Sequence, residues 1–172
     1  MDLQKFFAQK QNLLLTAQDK RSIHQFVDMA HQPGSKIGVL SRHYPLLSGL
    51  TAAENVALPA MYHKGLSLGK ALEWLMPLAQ ELGVDTVLNR RPDNLSTKDI
   101  YALYLLRAIS GGNKAIAVIS PKKRDVSESL RLLEKIESPI LFWVLCNKKT
   151  RENYTTFPLH EELLSPGFEG EK

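Results

Sequence analysis

The chain has 172 residues, of which 44% are hydrophobic and 23% charged, a balance that excludes a disordered or fibrous protein and suits a single core. No run approaches the roughly 20 apolar residues needed to cross a bilayer, and the start MDLQKFFAQKQNLLLTAQDK lacks the apolar block and cleavage site of a signal peptide, so one cytoplasmic domain over 1–172 without membrane insertion is expected. A single cysteine, Cys146, excludes a disulfide framework and a multi-cysteine zinc site, and the net charge of +4 admits an anionic partner.

Four short apolar runs read as buried strands: Leu13 to Leu15, Ile37 to Leu40, Ala115 to Ile119 and Ile140 to Leu145. Helical patterns lie between them, over Ser22 to Ala30, Thr51 to Tyr62, Gly69 to Leu82, Ser96 to Ile109 and Val126 to Ile136. Strands alternating with helices predict a parallel sheet with helices on its faces. Thr51-Ala52-Ala53-Glu54 is a capping box, Ser96 to Asp99 is a second, weaker one, and Asp125 is placed to cap the following helix. Pro77 predicts a kink or break in its helix. After Tyr154 a short helix around His160 to Leu164 and a loose tail over about 165–172 are expected.

The basic clusters Lys122 to Arg124 and Lys148 to Arg151 follow strands and read as solvated strand-end loops, because no aromatic platform or nucleic-acid motif accompanies them. The nucleic-acid or membrane-surface alternative predicts steeply salt-dependent binding. The five histidines, His24, His31, His43, His63 and His160, show no H-x-x-x-H or H-E-x-x-H spacing. Ser120 lacks a G-x-S-x-G context and reads as structural.

The segment Ile37 to Pro59, IGVLSRHYPLLSGLTAAENVALP, resembles the glutamine-loop stretch of ABC-transporter ATPase subunits, whose helix begins like Leu50-Thr51-Ala52-Ala53-Glu54-Asn55-Val56. Arg91 to Ser96 with Arg107-Ala108 resembles the signature segment, Lys114 to Pro121 the Walker B strand, and Ile140 to Asn147 the switch-histidine strand. The matches stand in family order and cover roughly residues 36 to 147. They imply a P-loop-NTPase-like α/β fold, a parallel sheet with flanking helices, and a helical subdomain over about 48–109. The antiparallel strands that precede the family's phosphate loop are expected to be missing.

The resemblance also marks departures. A phosphate loop needs G-x-x-x-x-G-K-[ST], so that backbone N–H groups surround the phosphates. After Leu15 the chain reads Thr16-Ala17-Gln18-Asp19-Lys20-Arg21-Ser22, without glycine and with Asp19 where phosphate would lie. Gly65 to Ala71 is one residue short between its glycines, lacks the hydroxyl and follows no strand. Aligned with the family, Arg42 replaces the loop glutamine, Ile119 and Ser120 the Walker B acids, Cys146 the switch histidine, Thr97 and Lys98 the signature glycines, and Asp99 the final signature glutamine. The chain thus reads as a degenerate, truncated family member with no catalytic residue, cofactor or metal ligand.

The implied function is a non-hydrolysing partner of a transporter membrane subunit or of an active ATPase. The alternative is a divergent ABC transporter ATP-binding protein that still binds or hydrolyses ATP, either through unfamiliar residues or with a site completed by a partner chain. In the family the loop after the second strand borders the groove for a membrane-subunit helix, which implies a partner interface at Arg42, His43, Tyr44, Leu46, Leu47 and Leu50. An equally simple reading is that Leu46, Leu47 and Leu50 pack the helical subdomain.

Overall fold

The structure, a computed structural model, describes residues 3–41 and 45–164. Five parallel strands form one sheet in the order β2-β3-β4-β1-β5: β1 (Leu13–Ala17), β2 (Ile37–Leu40), β3 (Ala115–Ile119), β4 (Leu141–Asn147) and β5 (His160–Leu164). Among the described residues six α-helices cover it: α1 (Leu3–Ala8), α2 (Lys20–Ala30), α3 (Ala52–Lys64), α4 (Leu68–Leu82), α5 (Thr97–Ser110) and α6 (Lys123–Lys135).

The central strands β1, β3 and β4 are almost wholly apolar because both of their faces are covered. Leu13, Leu15, Ala117, Trp143 and Leu145 pack with Phe6 of α1 and Phe26 of α2. On the other face Leu14, Ile116, Val118, Phe142 and Val144 join a core that includes α3, α4, α5 and α6. The start of β1 is tied to both neighbouring strands by Asn12, whose side chain accepts from Phe142 N at 2.8 Å and whose carbonyl accepts from His160 N at 2.8 Å.

Both expected capping boxes form, at Thr51/Glu54 and at Ser96/Asp99. Three local expectations are corrected. Asp125 is not the cap residue of α6 but sits three positions inside it, accepting from Lys122 N at 3.4 Å. The helix therefore starts earlier and takes Lys123 and Arg124 into its first turn. Pro77 does not break α4, which runs on to Leu82. Pro77 and Glu73, whose carbonyl loses the i to i−4 bond, are both exposed, so water can serve the freed acceptor.

The third correction concerns His160 to Leu164, which form a strand rather than a helix, paired in register with β1 from Leu13↔His160 to Ala17↔Leu164. Five residues cannot nucleate a stable isolated helix, whereas the free edge of β1 offers a ready ladder. Glu161 and Glu162 point to opposite sides of β5, Glu161 paired with Arg151 and Glu162 with Lys5. The expected tail over 165–172 lies outside the described residues. No helix among those described is long and apolar enough to cross a membrane.

Candidate functional site

In open α/β sheets ligands bind at the carboxyl ends of strands, where connections leave to opposite faces. Here α2, after β1, covers one face, and α6, after β3, the other, so the ends of β1, β4 and β3 are the place to look. The local geometry at β1 disfavours an anion. Only Gln18 and Asp19 separate the strand from α2, too few to ring a phosphate with backbone N–H groups. Asp19 caps the helix, accepting from Ser22 N and Ser22 Oγ, each at 2.8 Å. Those hydrogen bonds, the backbone one foremost, hold its carboxyl below the usual range, so a negative charge occupies the helix N-terminus.

The neighbouring strand ends carry no acid pair. Ile119 closes β3, and Ser120 turns the chain at φ +45°, its N–H donating to Leu145 O at 2.8 Å. Pro121 O accepts from Tyr154 OH at 2.6 Å, which anchors the following turn. Cys146 is fully buried beside Thr16 Oγ1 at 3.9 Å, and desolvation raises its thiol pKa. Among the described residues no group of three or more His, Cys, Asp or Glu could hold a metal. At the N-terminus of α5, Asp99 accepts from Ser96 N at 3.0 Å and Ser96 Oγ accepts from Asp99 N at 3.2 Å, while Thr97 and Lys98 are exposed.

The loop before α3 is built around Asn55, which sequence reasoning did not single out. Its side chain is fully buried, accepts from Leu47 N at 2.7 Å and donates to Leu47 O at 3.0 Å and Thr51 O at 2.9 Å. A polar residue within an apolar helical stripe was the available signal. The N-terminus of α3 is satisfied from within: Ala52 N donates to Arg90 O and Ala53 N to Leu88 O, each at 2.8 Å. Bonds from Thr51, backbone first, hold the Glu54 carboxyl below its usual range.

Of the interface residues expected in this loop, Leu46 is 6% exposed and belongs to the core, Leu47 is 50% exposed and Leu50 half-buried. Arg42, His43 and Tyr44 lie outside the described residues. Beside the loop, Arg107 Nη1 donates to Pro45 O at 3.1 Å, and burial lowers the pKa of its guanidinium. Arg107 also borders a groove of about 700 Å³ that follows the outer edge of β2 from Lys36 to Leu40. Pro59, Tyr62 and His63 of α3 line the same groove.

No protein-family model matches the chain. Over 107 residues, 58% of the chain, it is 37% identical to the macrolide export ATP-binding/permease protein MacB of Aggregatibacter actinomycetemcomitans, of which the match covers 16%. MacB of Mannheimia succiniciproducens is 38% identical over 86 residues, covering 50% of the chain and 13% of that protein. The chain thus spans a minor part of these relatives. Among solved structures the dimeric bacterial ABC transporter cassette MJ0796 superposes with a TM-score of 0.60 at 15% identity, covering 83% of this chain and 77% of that one. The ADP- and Pi-bound post-hydrolysis dimer of MJ0796 gives 0.58 at 15% identity, covering 81% and 76%. The chain has the fold of an ABC transporter ATPase cassette and sequence similarity to ATP-binding proteins of that family.

Proposed function

We propose that the chain is a non-hydrolysing ABC-ATPase-like module that acts by binding, as a structural or regulatory partner of a transporter membrane subunit or of an active ATPase subunit. The observation that carries this reading is the junction of β1 and α2, where a two-residue connection and the Asp19 cap stand in place of a phosphate loop. Ile119, aligned with the Walker B aspartate, offers no magnesium ligand, and Ser120, aligned with the catalytic glutamate, offers no base for water. In this reading residues 48–109 form the helical subdomain, and Leu47 and Leu50, with Arg42, His43 and Tyr44, belong to the docking surface. The module would reach a membrane only peripherally, through its partner.

Isothermal titration with magnesium and ATP tests it directly. The expected result is no saturable heat up to millimolar nucleotide and no phosphate release. Micromolar binding, or turnover that falls on substitution of Arg42, overturns the reading in favour of a divergent ATP-binding protein.

A further inference from the structure

The two edges of the sheet are finished differently. On β5 the residues Glu161 and Glu162 carry ion pairs to Arg151 and Lys5, and Gln9 Nε2 donates to Glu162 at 2.8 Å. Charges of this kind block the addition of a further strand. The opposite edge strand, β2, reads Ile37-Gly38-Val39-Leu40 and has no charged or polar side chain. Among the described residues it pairs on one side alone, with β3, in the register Ile37↔Ala115 to Leu40↔Val118.

The direction of its peptide groups follows from the hydrogen bonds at its start. Lys36 O accepts from Lys114 N at 2.8 Å and from Ala115 N at 3.2 Å, both on the β3 side. The N–H and C=O of one residue in a strand share a side and successive residues alternate, so Gly38 and Leu40 also face β3 while Val39 faces outward. The groove of about 700 Å³ is lined by all of β2, and Pro59 and Tyr62 of α3 line it too. Its charge has one sign: Lys36 and Arg107 line it, and no Asp or Glu is among the described residues that do.

We propose that the outer edge of β2 accepts an extended acidic peptide segment of a partner protein as an added strand, its main chain pairing with Val39 and its carboxylates lying in the field of Lys36 and Arg107. The site deepens the reading of the chain as a binding module and rests on it. Main-chain pairing supplies affinity in this mode, and the groove selects side chains by shape and charge.

The test is a display library of random heptapeptides panned against the full chain, followed by titration of the synthesised winners. Selected sequences should alternate β-branched residues with Asp or Glu. Val39→Pro removes the outward N–H while leaving the β3 ladder intact, since proline is tolerated on the solvent side of an edge strand. It should weaken binding at least about tenfold, and Lys36→Glu by about as much. Should Val39→Pro fail to fold, amide exchange on the unmodified chain replaces it, with the Val39 N–H expected to slow at least about tenfold on peptide addition. No enriched sequence, winners with helical spacing of apolar residues, undiminished binding by folded Val39→Pro, or an unprotected Val39 amide each overturn the proposal. Magnesium-ATP titration of the same sample reads the parent proposal separately, because absent nucleotide binding with absent peptide binding overturns the edge site alone.

Discussion

Asn55 sits at 0% exposure and ties the loop over residues 47–51 to α3. Replacing it by alanine strands the Leu47 amide and opens a small void, so Asn55→Ala should destabilise the fold by about 2 to 4 kcal/mol, read as a lower urea midpoint with unchanged slope. Asp19 gives a pH signature instead. Its folded pKa is depressed by hydrogen bonds from Ser22, so its stabilisation is present above the unfolded value of about 3.9 and is lost as pH falls through the folded one. In Asp19→Ala the loss of stability as pH falls below about 4 should be shallower than in the parent chain. An equal slope in the two proteins refutes that role. Both residues show the limit of reading sequence alone: the acid at Asp19 was legible as a charge hostile to phosphate, while its exact partner, Ser22, depends on a helix boundary two residues earlier than the apolar pattern suggested.

At the scale of elements, strands with apolar residues on both faces were legible because burial on two sides leaves a continuous apolar run. The limits of β2 and β3 coincide with their runs. What escaped is set by partners distant in sequence. The β5 segment has the composition of a short helix and becomes a strand because β1 has an open edge, and α1 forms over Trp143 from a segment with only Phe6 fully buried. The groove along β2 was not legible either, since Lys36, Pro59, Tyr62 and Arg107 come from three parts of the chain. Packing of β2 against α5 yields a prediction of its own. A Cβ on Gly38 would lie 2.9 Å from Ala108 Cβ and 2.9 Å from Asn113 Nδ2. Gly38→Ala should therefore cost about 1 to 3 kcal/mol through separation of the strand from the helix, seen as a lower Tm. A neutral or stabilising effect contradicts that close approach.

At the scale of the whole molecule, the question is whether the two layers of helices unfold together. One layer, α1 and α2, covers an aromatic cluster in which Trp143 lies 4.9 Å from the Phe7 ring, 6.0 Å from Phe6 and 6.3 Å from Phe26, centroid to centroid. The other, α3 to α6, shares its core with the opposite face of the same strands, Phe142 and Val144 standing beside Trp143 in β4. Because neighbouring residues of one strand serve both layers, loss of either should expose the strands that support the other. Trp74, half-exposed beneath the Lys64 ammonium at 3.9 Å, is the second fluorophore, and Trp74→Phe leaves Trp143 as the sole reporter of the α1 and α2 side. In that background Trp143 emission should begin blue-shifted and change at the same urea concentration as the far-ultraviolet dichroism, to which α3 to α6 contribute most of the helix. Phe6→Ala should move both midpoints down together, by about 3 kcal/mol of stability. Separate midpoints would show that the layer of α3 to α6 melts independently of α1 and α2, and one cooperative domain would then be the wrong description of this chain.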